Sequence, residues 1–170
     1  MTDAPSAEQF ETALRDHPSG VALITAAADG RHVALAVTSL APLSVEPPLL
    51  MFSISDHSSS AAVVFEAESV VVHLLDAECV WLAQLGEVSS RDRFGDTSRW
   101  SLLTTGERYF ADAPVAVRAR IIDRIHAGTS TVYIVEATAV LERPGSVSAR
   151  PLVSHNRGWH ELGEGSLLPA

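Results

Sequence analysis

The sequence predicts a mainly β protein, an antiparallel barrel with helical insertions. About six or seven stretches are rich in apolar and β-branched residues, and most of them are separated by short turns. Helical periodicity appears in only about three segments, and few of these connect two strands in the order that builds a parallel sheet. A small barrel is filled by its own side chains, so we expect any cofactor on its outside or at a subunit interface.

The first element is a helix near the amino terminus. Ser6 and Gln9 form a capping-box pattern, in which each side chain can bond the other's backbone N–H. Phe10 and Leu14 then recur at helical spacing. The segment His-Pro-Ser-Gly at residues 17–20 is expected to end this helix, because proline and glycine interrupt regular structure.

Three strands are expected next. Residues 21–26 and residues 32–40 are apolar and β-branched, and an Asp-Gly dipeptide between them suits the positive φ angles of a tight hairpin. A connection over residues 41–48, stiffened by two prolines, then leads to a third strand over residues 49–54.

The second half of the chain alternates helices and strands around one polar loop. We expect helices over about residues 59–67 and 77–86, strands over residues 69–75, 115–126 and 131–141, and a loop over residues 87–97. The last two strands are long and joined by the short turn at residues 127–129, which indicates a β-hairpin.

Size and charge exclude several classes of protein. The chain has 170 residues, enough for one domain (residues 1–170) with a real core, and 46% of them are hydrophobic. A net charge of −9 argues against nucleic acid or an anionic membrane as a partner. All 12 basic residues are arginine, so a cation that binds an anion here must be arginine or histidine. No signal-peptide pattern and no apolar run of roughly 18 residues is present, so we expect a cytoplasmic protein.

Several common kinds of site are not indicated. The single Cys79 rules out an internal disulfide and lies in an apolar helical pattern, as a small buried side chain would. His155 and His160 have no nearby Cys or Asp to complete a metal site, so we expect no metal. The Gly-x-Ser-x-Gly, P-loop and Gly-x-Gly-x-x-Gly motifs are absent, so cofactor binding would not be of the Rossmann kind.

The segment SISDHSSSAAVVF, residues 53–65, is the strongest candidate for anion binding. Small hydroxyl residues surround Asp56 and His57 directly before an apolar helical run. A helix N-terminus has unpaired N–H groups and a partial positive charge, which suit a phosphate. The alternative is that these serines are only helix caps in a turn.

Five segments in order resemble the flavin reductase-like family, which has the FMN-binding split-barrel fold. They are FETALRDHPSGVALITA, ALAVTSLAPLSVEPPLLMFSIS, SSSAAVVFEAESVVVHLL, LAQLGEVSSRDRFGDTSRW and ARPLVSHNRGWHEL. The resemblance covers about residues 8–162 and implies an antiparallel, Greek-key-like split barrel. It also implies an NAD(P)H:flavin oxidoreductase that transfers a hydride to FMN or FAD. Such proteins are typically homodimers that supply reduced flavin to a separate monooxygenase.

The resemblance implies a flavin site made from two parts of the chain. Residues at a strand end would run along the isoalloxazine edge: Val37, Thr38, Ser39 and Leu40. The following serine segment would hold the ribityl and phosphate oxygens: Ser53, Ser55, Ser58, Ser59 and Ser60. Arg93 is the candidate cation for the phosphate, with Arg91 as a second choice. The alternatives are hydroxyl residues at an ordinary strand end and a solvated loop with local Asp–Arg pairs.

The nicotinamide side departs from the family pattern. The family often has Gly-Asp-His between its last two long strands, whereas this chain has Gly128, Thr129 and Ser130. In the tail, Arg157 and Trp159 would lie near the nicotinamide, although Trp159 is equally suited to packing in a core or interface. No catalytic acid or base is expected, because hydride transfer is the chemistry of the two cofactors and the protein positions them.

Three functions therefore stay open at this stage. The first is an NAD(P)H-dependent flavin reductase. The second is a flavin-binding module of the same fold, without efficient NAD(P)H turnover because the Asp-His pair is replaced. The third is a split barrel that uses another cofactor, such as a deazaflavin or haem. The residues do not decide between FMN and FAD or between NADH and NADPH.

Overall fold

The computed structural model describes residues 4–88, 93–145 and 150–168, which contain twelve strands, three α-helices and two 3-10 turns. In chain order they are α1 (Ala7–Arg15), β1 (Ser19–Gly20), β2 (Ala22–Ala28), β3 (Arg31–Val37), β4 (Ala41–Ser44), β5 (Leu49–Ser55), α2 (Ala61–Glu66), β6 (Ser69–Leu74), a 3-10 turn (Ala77–Cys79), α3 (Val80–Glu87), β7 (Ser101–Leu102), β8 (Arg108–Tyr109), β9 (Val115–Ala127), β10 (Ser130–Glu142), β11 (Leu152–His155), β12 (Gly158–Glu161) and a second 3-10 turn (Glu164–Ser166).

Seven of the strands form one sheet in the order β3-β2-β6-β9-β10-β5-β4. Every neighbouring pair in this sheet is antiparallel. β3 and β4 lie at opposite edges of the sheet, yet only residues 38–40 join them, so the sheet must curl until its two edges come close together. Two smaller sheets, β1-β11-β12 and β7-β8, lie outside this arrangement.

One serine side chain joins the two sides of the sheet and makes a split barrel. Ser39 follows β3, and its Oγ accepts a hydrogen bond from the Ser53 backbone N–H (2.9 Å) and donates one to the Ser53 carbonyl (3.1 Å). Within the described residues β3 and β5 form no ladder, so this seam depends on side-chain contacts. The mainly β, antiparallel split-barrel fold expected from the sequence is confirmed.

The apolar residues of the strands divide between two cores. Alternate residues of β2, β3, β5, β6 and β10 fill the barrel, where Phe52 and Tyr133 stack with ring centroids 5.3 Å apart. α2 packs against this core through its two buried valines. The outward residues of β2 and β3 form a second core with α3, which includes Leu23, Leu82 and Phe110.

The helix α1 confirms the predicted capping box. Ser6 Oγ accepts from the Gln9 N–H (3.2 Å), and Gln9 Oε1 accepts from the Ser6 N–H (2.9 Å). None of the nine residues of α1 is buried. The helix therefore depends on its caps more than on packing, since short helices are marginal in water.

Several elements differ from the sequence prediction, including the unpredicted two-residue strands β1, β7 and β8. Residues 41–48 were expected to be a connection, but β4 occupies Ala41–Ser44; Pro42 is tolerated there because an edge strand can lack one N–H. The helix expected at residues 77–86 begins as a 3-10 turn, with Asp76 capping it at the Cys79 N–H (3.0 Å). The tail forms the unpredicted hairpin β11–β12, whose polar residues alternate too irregularly to indicate strands.

Candidate functional site

An open cleft lies where the end of β3, the end of β5 and the end of α3 meet. Its volume is about 490 Å³. It is lined by Leu35, Ala36, Val37, Thr38, Ser39, Ser53, Ile54, Ser55, Ser58, Gly86 and Glu87. Six of the ten residues proposed from the sequence to bind a flavin are therefore brought together by the fold.

The alternation of β5 explains why its serines face this cleft. Phe52 and Ile54 are buried in the barrel, so Ser53 and Ser55 point to the opposite, outer face of the sheet. On the neighbouring β10, Ser130 is the direct partner of Ser55 and shares that face. A strand with apolar residues inside thus presents hydroxyl groups outside.

Gly86 sets the depth of the cleft. A Cβ at this position would lie 2.3 Å from the backbone nitrogen of Ala36, so only glycine lets α3 approach β3 this closely. Neither Gly86 nor Glu87 was predicted from the sequence to line a site. A glycine inside an apolar helical run was the available signal, because such a glycine costs helix stability and often has a packing reason.

The other candidate flavin residues lie away from the cleft. Leu40 packs against the barrel core, and Ser59 is exposed without lining the cleft. Ser60 is buried and accepts a hydrogen bond from Arg93 Nη1 (2.9 Å), while Arg93 Nε donates to the Val88 carbonyl (2.6 Å). Burial also lowers the pKa of the Arg93 guanidinium from its ordinary value. Arg93 therefore links Val88, at the end of α3, to Ser60, the N-cap of α2, from a buried position.

The turn before α2 uses its hydroxyl groups locally. Ser55 Oγ accepts from the His57 N–H and Ser58 Oγ accepts from the Ser60 N–H, both at 3.3 Å. α2 has only six residues, and its N-cap Ser60 makes no side-chain cap. A short helix has a small dipole, so the hydroxyl groups of the turn matter more for an anion than the helix end does. Arg91, the second-choice cation, lies outside the described residues.

The nicotinamide-side residues of the β9–β10 turn lie next to the cleft. Gly128 has φ +65°, which allows the tight turn, and the Thr129 carbonyl accepts from the Asp56 N–H (2.9 Å). Ser130 faces the same side of the sheet as Ser55. Thr131 faces the barrel, where its Oγ1 donates to Asp56 Oδ1 (2.8 Å). The turn therefore places Ser130, and not an imidazole, at the border of the cleft.

The two residues of the tail are separated from this turn. Arg157 lies in the β11–β12 turn and lines another cleft, which shares Thr38 with the first. Trp159 packs against the second core, which is the packing role that the sequence offered as an alternative to contact with the nicotinamide. Ser130 therefore neighbours the first cleft through its partner Ser55, whereas Arg157 lines the second cleft, and Thr38 lines both.

The residues of the cleft fit a flavin. Thr38, Ser53, Ser55 and Ser58 contribute hydroxyl groups that can donate to and accept from ring carbonyls, ribityl hydroxyls and phosphate oxygens. The volume of about 490 Å³ lies within the range of roughly 300–1,000 Å³ that small-molecule sites occupy. Beside the cleft, the outer face of β5 and β10 carries the half-buried side chains of Met51, Val132 and Ile134, which suit a flat aromatic ring.

The described residues also bear on two other kinds of site. In the described ranges no cluster of three or more His, Cys, Asp or Glu side chains could hold a metal ion. None of the helices that the structure describes is both long and apolar enough to cross a membrane.

Comparisons with known proteins agree with the fold. The model of the flavin reductase like domain matches residues 14–163. An NADH:FMN oxidoreductase of Rhodococcus qingshengii is 37% identical over 155 residues, which are 91% of this chain and 81% of that protein. The reductase component of the FADH(2)-dependent resorcinol hydroxylase of a Rhizobium species is 28% identical over 153 residues, covering 88% and 83% of the two chains. Among solved structures, flavin reductase HpaC complexed with NADP+ superposes with a TM-score of 0.84 at 24% identity, covering 95% of this chain and 100% of that one.

Proposed function

This chain belongs to the flavin reductase-like family, and on that premise we propose that it oxidises NADH and transfers the hydride to FMN. It is an NADH-dependent flavin oxidoreductase, as the 37% identity to the NADH:FMN oxidoreductase over most of the chain supports. FAD is the alternative acceptor, since the related resorcinol hydroxylase reductase is named for FADH(2). The observation that carries the proposal is the cleft that gathers the hydroxyl residues of β3 and β5 beside the β9–β10 turn.

The protein's own contribution is to bind the flavin and the nicotinamide and to orient them toward each other. We assign the isoalloxazine edge to Val37, Thr38 and Ser39, and the ribityl and phosphate oxygens to Ser53, Ser55 and Ser58. When bound, the flavin and the nicotinamide supply the hydride chemistry, so no side chain has to act as acid or base. The rigid barrel holds these residues in place, because Ser39 is itself fixed by two hydrogen bonds to Ser53.

Ser130 takes the position at the border of the cleft where the family often has histidine. A hydroxyl can donate one hydrogen bond but offers no aromatic face and no titrating group. We therefore expect NADH to be held mainly by stacking and by contacts outside the β9–β10 turn. The replacement weakens binding of the nicotinamide without removing a chemical step.

The relatives also suggest which protein receives the reduced flavin. Two relatives are named as the reductase components of a resorcinol hydroxylase and of a 4-nitrophenol 4-monooxygenase, so we propose that reduced flavin leaves this protein for a separate oxygenase in the cytoplasm. An open cleft is consistent with a flavin that binds as a substrate and dissociates. Tight enclosure would hold it as a prosthetic group.

We further propose a homodimer whose interface borders the cleft. On the outer sheet face, Ile125 of β9 pairs with Val132 of β10, which in turn pairs with Ser53. In the next row Ile134 pairs with Met51. The side chain of Ile125 is 47% exposed, and the other apolar members of these rows are only half buried. A continuous apolar face of this kind is rarely left in water.

The activity is tested with purified protein and added flavin. We expect NADH oxidation at 340 nm to require FMN or FAD and to saturate with flavin. Tight flavin binding without NADH or NADPH oxidation above the buffer rate would show a binding module and would contradict the reductase proposal. Light scattering at micromolar concentration tests the dimer, and a monomer there would contradict it.

The phosphate side of the cleft is tested with two serines of the same turn. Ser55→Glu places a carboxylate in the cleft, whereas Ser59→Glu places it on exposed surface outside the cleft. We expect Ser55→Glu to raise the Kd for FMN by about 10-fold or more, and the Kd for riboflavin, which has no phosphate, far less. Ser59→Glu should change neither. Equal losses for FMN and riboflavin would refute the phosphate assignment.

A further inference from the structure

A second cleft adjoins the flavin cleft and has no assigned ligand. Its volume is about 500 Å³, and Thr38 lines both clefts. The walls are α1 on one side and the β11–β12 hairpin on the other. A ligand that begins at the flavin cleft and extends past Thr38 therefore enters this second cleft.

The second cleft is locally basic in an acidic protein. Arg15 and Arg157 line it, and the imidazoles of His17 and His155 add possible hydrogen-bond donors. Among the described residues neither guanidinium forms an ion pair within 4.0 Å, although Glu11 also lines the cleft. In a chain of net charge −9, two such arginines on one cleft favour an anionic ligand.

The fold brings the two arginines together from distant parts of the chain. Arg15 ends α1, and its carbonyl accepts a hydrogen bond from the Asn156 N–H (3.2 Å) at the tip of the β11–β12 hairpin. On the same side of α1, Phe10 and Leu14 are 57% and 51% exposed and line the cleft. The cleft thus combines arginines, which bind phosphates well, with an apolar wall that suits a heteroaromatic base.

Arg157 occupies a backbone position that normally selects glycine. Asn156 and Arg157 have φ of +49° and +62°, the pattern of a two-residue type I′ turn. The β2–β3 hairpin has the same pattern with Asp29 at +50° and Gly30 at +73°. A non-glycine residue with such angles is strained, because its Cβ comes too close to the neighbouring backbone. In this chain an arginine occupies a strained position, and strain of this kind is concentrated at functional sites.

We propose that the second cleft binds the adenosine diphosphate half of a dinucleotide whose other half occupies the flavin cleft. Arg15 and Arg157 contact the diphosphate, and Phe10 and Leu14 contact the adenine. The dinucleotide can be NADH, with its nicotinamide beside the flavin, or FAD itself. This inference rests on the proposed function, because that function puts a flavin or a nicotinamide on the other side of Thr38.

The test uses a substitution whose effects on folding and on binding have opposite signs. Arg157→Gly removes the guanidinium and relieves the backbone, so Tm should stay equal or rise. Calorimetry with ADP as the probe should show binding to the unaltered protein and at least about 10-fold weaker binding to Arg157→Gly and Arg15→Gln. Arg31→Gln, at the far end of β3, is the matched control for loss of one positive charge and should bind ADP normally.

Two kinetic arms identify the source of the diphosphate. With FMN as acceptor, Arg157→Gly should lower the preference for NADH over reduced nicotinamide mononucleotide, measured as a ratio of kcat/KM values, about 10-fold if NADH enters the cleft. If FAD enters it, the variant should instead lower the ratio of FAD to FMN affinity by a similar factor. Either change supports the proposal.

Three results would overturn the inference. They are no ADP binding to the unaltered protein, equal binding to Arg157→Gly, and unchanged values of both ratios. Failure of the proposed function is a separate outcome, since absence of NADH oxidation would leave the ADP and FAD measurements intact. A fall in Tm for Arg157→Gly would show that the arginine is structural, and this too would contradict the reasoning from strain.

Discussion

Acid should destabilise this protein through one buried histidine, His73. It lies on β6 and is completely buried. Its Nδ1–H donates to the Leu23 carbonyl (3.1 Å), and its Nε2 accepts from the Phe110 N–H (3.1 Å). Both ring nitrogens are thus used by a neutral imidazole, and protonation of Nε2 would break the bond from Phe110. Burial is the main reason that the pKa of His73 is lowered from 6.5 to about 4, although hydrogen bonds to backbone carbonyls oppose it.

The lowered pKa determines both the sign and the size of the effect. Between pH 6.5 and pH 4 the unfolded chain binds a proton at His73 that the folded chain does not, so the free energy of unfolding falls as the pH falls. A difference of about 2.5 pKa units corresponds to about 3 kcal/mol once the pH is below 4. At pH 5 the same linkage predicts a loss of about 2 kcal/mol.

Urea unfolding followed by tryptophan fluorescence at pH 7.5, 6 and 5 measures this loss. His73→Gln keeps a donor and an acceptor but does not titrate, so its stability should fall by about 2 kcal/mol less than that of the unaltered protein between pH 7.5 and 5. His57→Gln, at an exposed site, is the matched control and should behave as the unaltered protein does.

Equal losses of stability for His73→Gln and the unaltered protein between pH 7.5 and pH 5 would refute this prediction. If His73→Gln does not fold, proton uptake on unfolding at pH 5 replaces it. The unaltered protein should then take up close to one proton at His73 beyond what its exposed histidines bind.

Two further predictions concern packing around α3. Gly86→Ala should destabilise the protein by about 1–3 kcal/mol and weaken flavin binding, because its Cβ would lie 2.3 Å from the Ala36 nitrogen. Gly20→Ala is the control, since its Cβ would meet no atom within 4 Å. Equal Tm values for the two variants would contradict the prediction for Gly86. The thiol of Cys79 should not react with a disulfide reagent at pH 8 until the protein unfolds, because burial raises its pKa to about 12 and its Sγ donates to the Asp112 carbonyl (2.9 Å). Rapid labelling of Cys79 in the native protein would disprove this prediction of a protected thiol.

The elements themselves were largely predictable, because they depend on local chemistry. The capping box of α1, the Asp-Gly turn between β2 and β3, and the long strands β9 and β10 were all expected from short-range patterns. β4 and the β11–β12 hairpin were missed, since a short edge strand has little alternation to reveal it.

The candidate site was predictable only in part. Thr38, Ser39, Ser53 and Ser55 were identified through the family resemblance, and the fold gathers them in one cleft. Arg93 was expected to be a cation for phosphate, but it donates to Ser60 and Val88 inside the protein. The direction of an arginine side chain depends on what surrounds it after folding, and the local sequence contains no such information.

The sequence by itself therefore determined the longer strands and the three helices, and which residue types face the barrel and which face outward. These properties follow from backbone propensity and from the alternation of side chains within a few residues. Only the tertiary structure decided that Ser39 meets Ser53 across the seam, that Gly86 lets α3 reach β3, and that the carbonyl of Arg15 bonds the β11–β12 turn next to Arg157. Each of these contacts joins residues far apart in the chain, so it exists only once the whole sheet has closed.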